Sequence, residues 1–87
     1  MAVEHFGDVP WERLTVARVR VLRELEDRRT EREIAERLLM TYNGVRSHVE
    51  DLKALTGCAD VRALGRWWGD VRGDWLGWLA REAVIAR

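Results

Sequence analysis

The sequence predicts an all-α domain of four or five helices. Apolar residues recur at helical spacing in several short segments, and no stretch alternates as a half-buried strand does. Threonines stand just ahead of those segments, where a helix needs a side-chain acceptor for its first free amides. The only proline, Pro10, lies ahead of all of them. With 87 residues the chain makes one domain, 1–87. A core this small is marginal by itself, so association with a second copy would add stability.

Residues 1–13 read as an irregular lead, with Phe6 and Trp11 large enough to staple it to the body. Thr15 is placed to cap a first helix over residues 16–27. Its apolar positions are Val21, Leu22 and Leu25, with Leu14 just before the cap. Asp27, Arg28 and Arg29 make a polar connection. Thr30 opens a second, short helix that ends near Leu39. Glu33 follows Thr30 by three residues, the spacing of a capping box. Ile34, Ala35 and Leu38 form its buried stripe, and small Ala35 permits a close helix crossing.

Thr41 caps a third helix over residues 42–56. Val45, Val49, Leu52 and Leu55 share one edge of it, His48 borders that edge, and Gly57 suits its C-cap. His48 reads as a partly buried residue rather than a functional one. Asp60 can cap a fourth helix over residues 61–68, carrying Val61, Leu64, Trp67 and Trp68. Gly65, Gly69, Gly73 and Gly77 then follow at intervals of four. Each glycine inside a helix costs about 1 kcal/mol against alanine. A break is therefore expected near Gly69–Gly73, with Asp74 capping a last helix from Trp75 to Ala86. Trp75, Leu79, Ala83 and Ala86 would line its stripe, flanked by Leu76 and Trp78.

Composition excludes several classes. Apolar residues at 47% and charged residues at 34% fit a folded helical domain rather than a disordered one. Cys58 has no cysteine to pair with, and nothing resembles a signal peptide, so the expected compartment is the cytoplasm. No run of about 18 apolar residues is present to span a membrane. His5, His48 and Cys58 do not fall in a metal-ligand spacing, and no cofactor motif is present. No arrangement of nucleophile, base and orienting group stands out, so no enzyme is expected.

Residues 30–52, TEREIAERLLMTYNGVRSHVEDL, have the spacing of a helix-turn-helix. That unit places its second helix in a DNA groove. Around it, Leu14 and Thr15, the pair Val21 and Leu22, and the run Thr30, Glu33, Ile34, Ala35 and Leu38 follow a recognisable order. Met40 and Thr41, then Val45, Arg46 and His48, and finally Gly57 continue it. In this order the chain resembles the LuxR-type helix-turn-helix domain of bacterial transcription regulators, over about half its length. The resemblance implies a compact four-helix domain whose third helix reads the major groove. It also implies that the fourth helix often makes a two-fold dimer. On it, residues 14–68 are the helix-turn-helix core and residues 69–87 a C-terminal extension.

The departures from the family pattern fall on the DNA side. Gly44 replaces the usual threonine before Val45, Glu31 stands where asparagine is common, and Glu50 occupies a position often basic. Arg28 replaces a turn glycine, and Arg18 replaces the glutamate that completes the first capping box.

The candidate DNA-binding residues follow. Arg46, Ser47 and Glu50 correspond to the family's DNA-facing positions on the third helix. Arg46 is the best base-reading candidate, because its fork matches the guanine edge. Glu50 could accept from a cytosine amine but also repels phosphates. Thr41, Tyr42 and Asn43 lie at the start of the third helix, the part that enters the groove. Thr30 to Arg32 lie where the family touches phosphates. Arg28, Arg29 and Arg32 are the densest basic cluster, beside free amides of the second helix. The plainer reading of the many arginines in the first two helices is a solvent face laced with ion pairs to interleaved glutamates.

Lysine plus arginine equals aspartate plus glutamate at fifteen each, so duplex binding requires the positive charge to gather on one face. Five tryptophans are many for this length. Trp67, Trp68, Trp75 and Trp78, with Leu79, are the expected dimer or partner interface. Two readings stand. One is a small transcriptional regulator binding double-stranded DNA as a homodimer. The other is a helix-turn-helix scaffold that serves as a protein-interaction module through its Trp-rich C-terminal helix.

Overall fold

The computed structural model describes residues 9–85, the side chains of residues 84 and 85 excepted. His5, Phe6 and Ala86 lie outside the described residues. The described residues are all-helical, without a strand. A 3₁₀ turn at Trp11–Arg13 leads into four α-helices: α1 Val16–Glu26, α2 Glu31–Leu38, α3 Tyr42–Thr56 and α4 Val61–Ile85.

Local chemistry sets the helix starts. The Thr15 side chain accepts from the Arg18 amide, and Thr41 Oγ1 accepts from Gly44 N at 2.9 Å. Thr30 forms the full capping box: Glu33 N donates to its hydroxyl at 3.1 Å, while its own amide donates to Glu33 Oε1 at 2.8 Å. Asp60 Oδ1 accepts from Ala63 N at 2.8 Å at the start of α4.

Two helix ends are less ordinary. Arg28 (φ 64°) and Leu39 (φ 56°) are left-handed without being glycine. Each closes a Schellman motif. Arg29 N reaches Glu24 O and Arg28 N reaches Leu25 O after α1; Met40 N reaches Ala35 O and Leu39 N reaches Glu36 O after α2. Arg28 thus holds a backbone conformation that glycine adopts without strain. Gly57 (φ 78°) ends α3 without that strain.

One core runs through the domain. Leu14, Val21, Leu22 and Leu25 meet Ile34, Ala35, Val45, Val49 and Leu52, and α4 closes over them with Leu64, Trp67, Trp68 and Val71. Trp11 is buried, so this half of the expected staple is present. The most extensive helix pairing is α1 against α4. Arg18 ties α1 to α3 by donating to Asp51 at 3.0 Å, and it also donates to Arg13 O at 2.8 Å.

Two expectations are corrected. The chain does not break at Gly69–Gly73, and Asp74 is no cap; α4 is continuous from Val61 to Ile85. Its inward residues, Leu64, Trp67, Trp68, Val71, Trp75 and Trp78, keep helical spacing straight across the glycines. Four glycines cost roughly 4 kcal/mol in propensity. Burying a tryptophan returns roughly 4–6 kcal/mol at about 25 cal/mol per Å². Beyond Gly69, half-buried Trp75 and Trp78 together return about as much as one buried tryptophan, and Val71 adds to it, so continuity of the helix offsets the glycines. Gly65 also has a packing reason. A Cβ there would stand 2.7 Å from Leu25 O, so only glycine lets α1 approach so closely.

The second correction follows from the first. Trp67 and Trp68 were expected at an interface, but they are 3% and 2% exposed inside the chain's own core. Trp75 packs edge-on against Trp68, with ring centroids 5.5 Å apart, and is half-buried like Trp78. The indole N–H groups of Trp68 and Trp75 are buried without a hydrogen-bond partner among the described residues.

Candidate nucleic-acid interface

Helix α3 divides cleanly into two faces. Val45, Val49 and Leu52 turn inward against α1 and α2, while Asn43, Arg46, Ser47 and Glu50 are exposed. Tyr42, half-buried, joins them. These five, with Asp51, line an open groove on the surface of α3. His48 is half-buried beside the inward edge, as its position in the sequence implied.

Two arginines converge on Tyr42. The Arg32 guanidinium of α2 sits over its ring, 4.6 Å from the centroid, a cation–π contact that ties the start of α2 to the start of α3. Arg46 lies one turn along α3. The Tyr42 hydroxyl beside it raises its pKa above the ordinary arginine value, and Glu31 and Glu50 add to the effect. Arg46 carries its charge on the exposed face of α3. Ser47 is exposed beside it, offering a hydroxyl that both donates and accepts.

Glu50 does not stand free. It pairs with Lys53 at 2.9 Å, within α3, so its carboxylate is partly offset on this face. Thr30 and Thr41 both spend an oxygen lone pair on a helix cap. Thr41 keeps its hydroxyl hydrogen for an outside acceptor such as a phosphate oxygen, while that of Thr30 faces the Glu33 carboxylate. The first free amides of α2 lie beside Thr30, next to Arg28 and Arg29.

Part of the basic surface is consumed by ion pairing, as the interleaved charges implied. Arg37 is held by Glu24, which raises the pKa of that arginine. Arg29 lies 3.9 Å from the same Glu24 carboxylate. Arg18 pairs with Asp51 and Arg72 with Glu26. Among the described residues, Arg28, Arg32 and Arg46 form no ion pair within 4.0 Å. The candidates on α2 and α3 thus come together around Tyr42 and the Thr30 cap. The tryptophan candidates do not join them; they lie on α4.

Two further arginines were not singled out from the sequence. Arg62 and Arg66 on α4 line a cleft with Arg28, Arg29 and Thr30. Their i, i+4 spacing was visible, but nothing local places that face of α4 opposite the turn between α1 and α2.

Among the described residues there is no group of histidine, cysteine, aspartate or glutamate side chains that could hold a metal ion, and no helix long and apolar enough to cross a membrane. Cys58 is a buried free thiol. No family model, curated protein or solved structure matches this chain.

Proposed function

We propose that this protein is a small LuxR-like helix-turn-helix regulator that binds double-stranded DNA, with α3 in the major groove, as a homodimer. The observation that carries the reading is the outward face of α3. Asn43, Arg46 and Ser47 project from it, Arg32 covers the Tyr42 ring one turn before Arg46, and the opposite face is locked in the core. A groove-reading helix needs that combination: a rigid back, short polar groups at its start and a guanidinium fork on its outward face. The unpaired arginines beside the Thr30 cap supply positive charge where a backbone phosphate would lie. In a chain of zero net charge, this local gathering is the condition for duplex binding.

A second reading rests on a different surface. Beyond Val71 the outer face of α4 exposes Leu76 (57%) and Leu79 (38%), beside half-buried Trp75 and Trp78. This supports a contact with another protein through the C-terminal half of α4. In the first reading, that contact is the second copy. A two-fold pairing there would set two α3 helices about 34 Å apart on one face of the duplex, one helical turn.

Fluorescence anisotropy on a randomised duplex pool, at low and moderate salt, tests the proposal. Arg46→Ala is expected to weaken selected-site binding by roughly 1–3 kcal/mol and to relax the preference at one base pair. Glu50→Lys is expected to strengthen non-specific binding and steepen its salt dependence. A folded protein that binds no duplex at low salt refutes the reading and leaves the protein-interaction module.

A further inference from the structure

We propose that the cleft between the α1–α2 turn and the first turns of α4 is a phosphate-binding site, holding a backbone phosphate of the same duplex; this rests on the DNA-binding reading above. The cleft brings Arg28 and Arg29 of the turn against Arg62 and Arg66 of α4, residues more than thirty positions apart in the chain. It is an open trough of about 630 Å³, far wider than one small anion and suited to a polymer backbone passing along it.

The charge balance of the trough is distinctive. Glu26 and Asp70 also line it, but Glu26 is engaged by Arg72 at 3.0 Å. Several basic side chains elsewhere are offset in pairs, Arg18 with Asp51, Arg37 with Glu24 and Lys53 with Glu50, whereas, among the described residues, Arg32 and Arg46 of the α3 side are not. Here Arg28, Arg62 and Arg66 have no ion-pair partner among the described residues. Arg29 has an Nε that is screened from solvent and makes no hydrogen bond among the described residues, its ion pair with Glu24 being a loose one at 3.9 Å. Three unpaired guanidiniums, with Arg29 shared with Glu24, stand against one free carboxylate, Asp70, and one engaged by Arg72, Glu26, which leaves a positive surplus in a chain that has none overall.

The trough also connects to the α3 face. Thr30 lines it, and Arg32, two residues on, covers the Tyr42 ring. A strand whose bases meet Arg46 would therefore carry its phosphates past Arg32 and Thr30 toward Arg28 and Arg62. Guanidinium forks match phosphate oxygens two at a time, which a lysine ammonium does not. Helix α4 then serves two ends: its first turns hold the backbone and its last turns carry the exposed leucines.

The double variant Arg62→Gln and Arg66→Gln tests the site. Both side chains are exposed, so the fold should be retained, and circular dichroism verifies that. Duplex affinity is measured against salt for wild type and variant. Each lost phosphate contact lowers the slope of log affinity against log salt by about 0.9, so a fall of about 1.8 is expected, equal on every sequence. A wild type that binds with a variant slope unchanged overturns the cleft and leaves the DNA reading standing. A wild type that binds no duplex refutes the DNA reading, and inorganic phosphate then decides the cleft. Amide shifts at Glu31 and Arg32 that saturate in the wild type and vanish in the double variant keep it as a site for free phosphate. Shifts absent from the wild type, or equal in both proteins, overturn it.

Discussion

Substituting the four glycines of α4 one at a time with alanine separates helix propensity from helix crossing. In an unbroken helix each change should stabilise by about 1 kcal/mol. What differs is the space. At Gly73 a new Cβ meets nothing within 4 Å, and at Gly77 only Arg81 Nη1 at 3.5 Å, an ordinary contact. Both variants should show the full gain. At Gly69 the neighbour is Glu26 Oε2 at 3.1 Å, the end of a side chain that can swing aside, although Arg72 holds it. A gain of about half that size is expected there.

At Gly65 the neighbours are backbone: Leu25 O at 2.7 Å, Leu25 C at 3.1 Å and Glu26 N at 3.3 Å. The first falls about 0.7 Å short of ordinary contact at 3.4 Å, so the end of α1 must move away from α4. This is the principal helix pairing of the domain, and such overpacking costs about 1–3 kcal/mol. Net of the propensity gain, Gly65→Ala should lose up to about 2 kcal/mol. Urea denaturation reads the series as shifts in midpoint at constant slope. In a domain of this size, 1 kcal/mol corresponds to about 4–8 °C in melting temperature. The reasoning is refuted if Gly73→Ala destabilises, which would mean a break there after all. A Gly65→Ala variant that gains as much as Gly73→Ala would refute the crossing.

Three further outcomes are expected. Ile34→Ala, at a fully buried position, should cost roughly 2–4 kcal/mol in chemical denaturation; a loss under about 1 kcal/mol would remove Ile34 from the core. Glu33 has its pKa lowered in the folded state, first by the Thr30 backbone amide and then by the Thr30 hydroxyl. Its contribution is therefore present above the unfolded glutamate pKa and lost as pH falls through the folded value, so Glu33→Gln should flatten the acid side of the stability profile; an unchanged profile counts against the capping box. Leu76→Glu with Leu79→Glu leaves the core untouched. It should give folded monomers by sedimentation where the wild type self-associates, and a wild type that is monomeric at high concentration removes the homodimer.

The sequence by itself determined the starts of the helices. Thr15, Thr30, Thr41 and Asp60 each satisfy an amide three residues ahead, so the bond that sets the boundary lies inside a four-residue window. Gly57 at the end of α3 was legible for the same reason, and so were the inward stripes of α1, α2 and α3. The α3 candidates Arg46, Ser47 and Glu50 were legible too, because a helix whose apolar edge is known has a known outward face.

Tertiary structure decided α4. Propensity argued for a break among its glycines, but the buried run from Leu64 through Trp68 to Val71 rewards continuity, and that reward exists only once α1 and α3 are in place. The same packing settled which tryptophans are core: Trp67 and Trp68 face the other helices, while Trp75 and Trp78 lie half-buried farther along α4. It also brought Arg62 and Arg66 against Arg28 and Arg29. Caps and stripes are set by bonds and periods spanning a few residues. Which surfaces meet depends on how whole helices cross, and that is set by the sum of buried area over all of them.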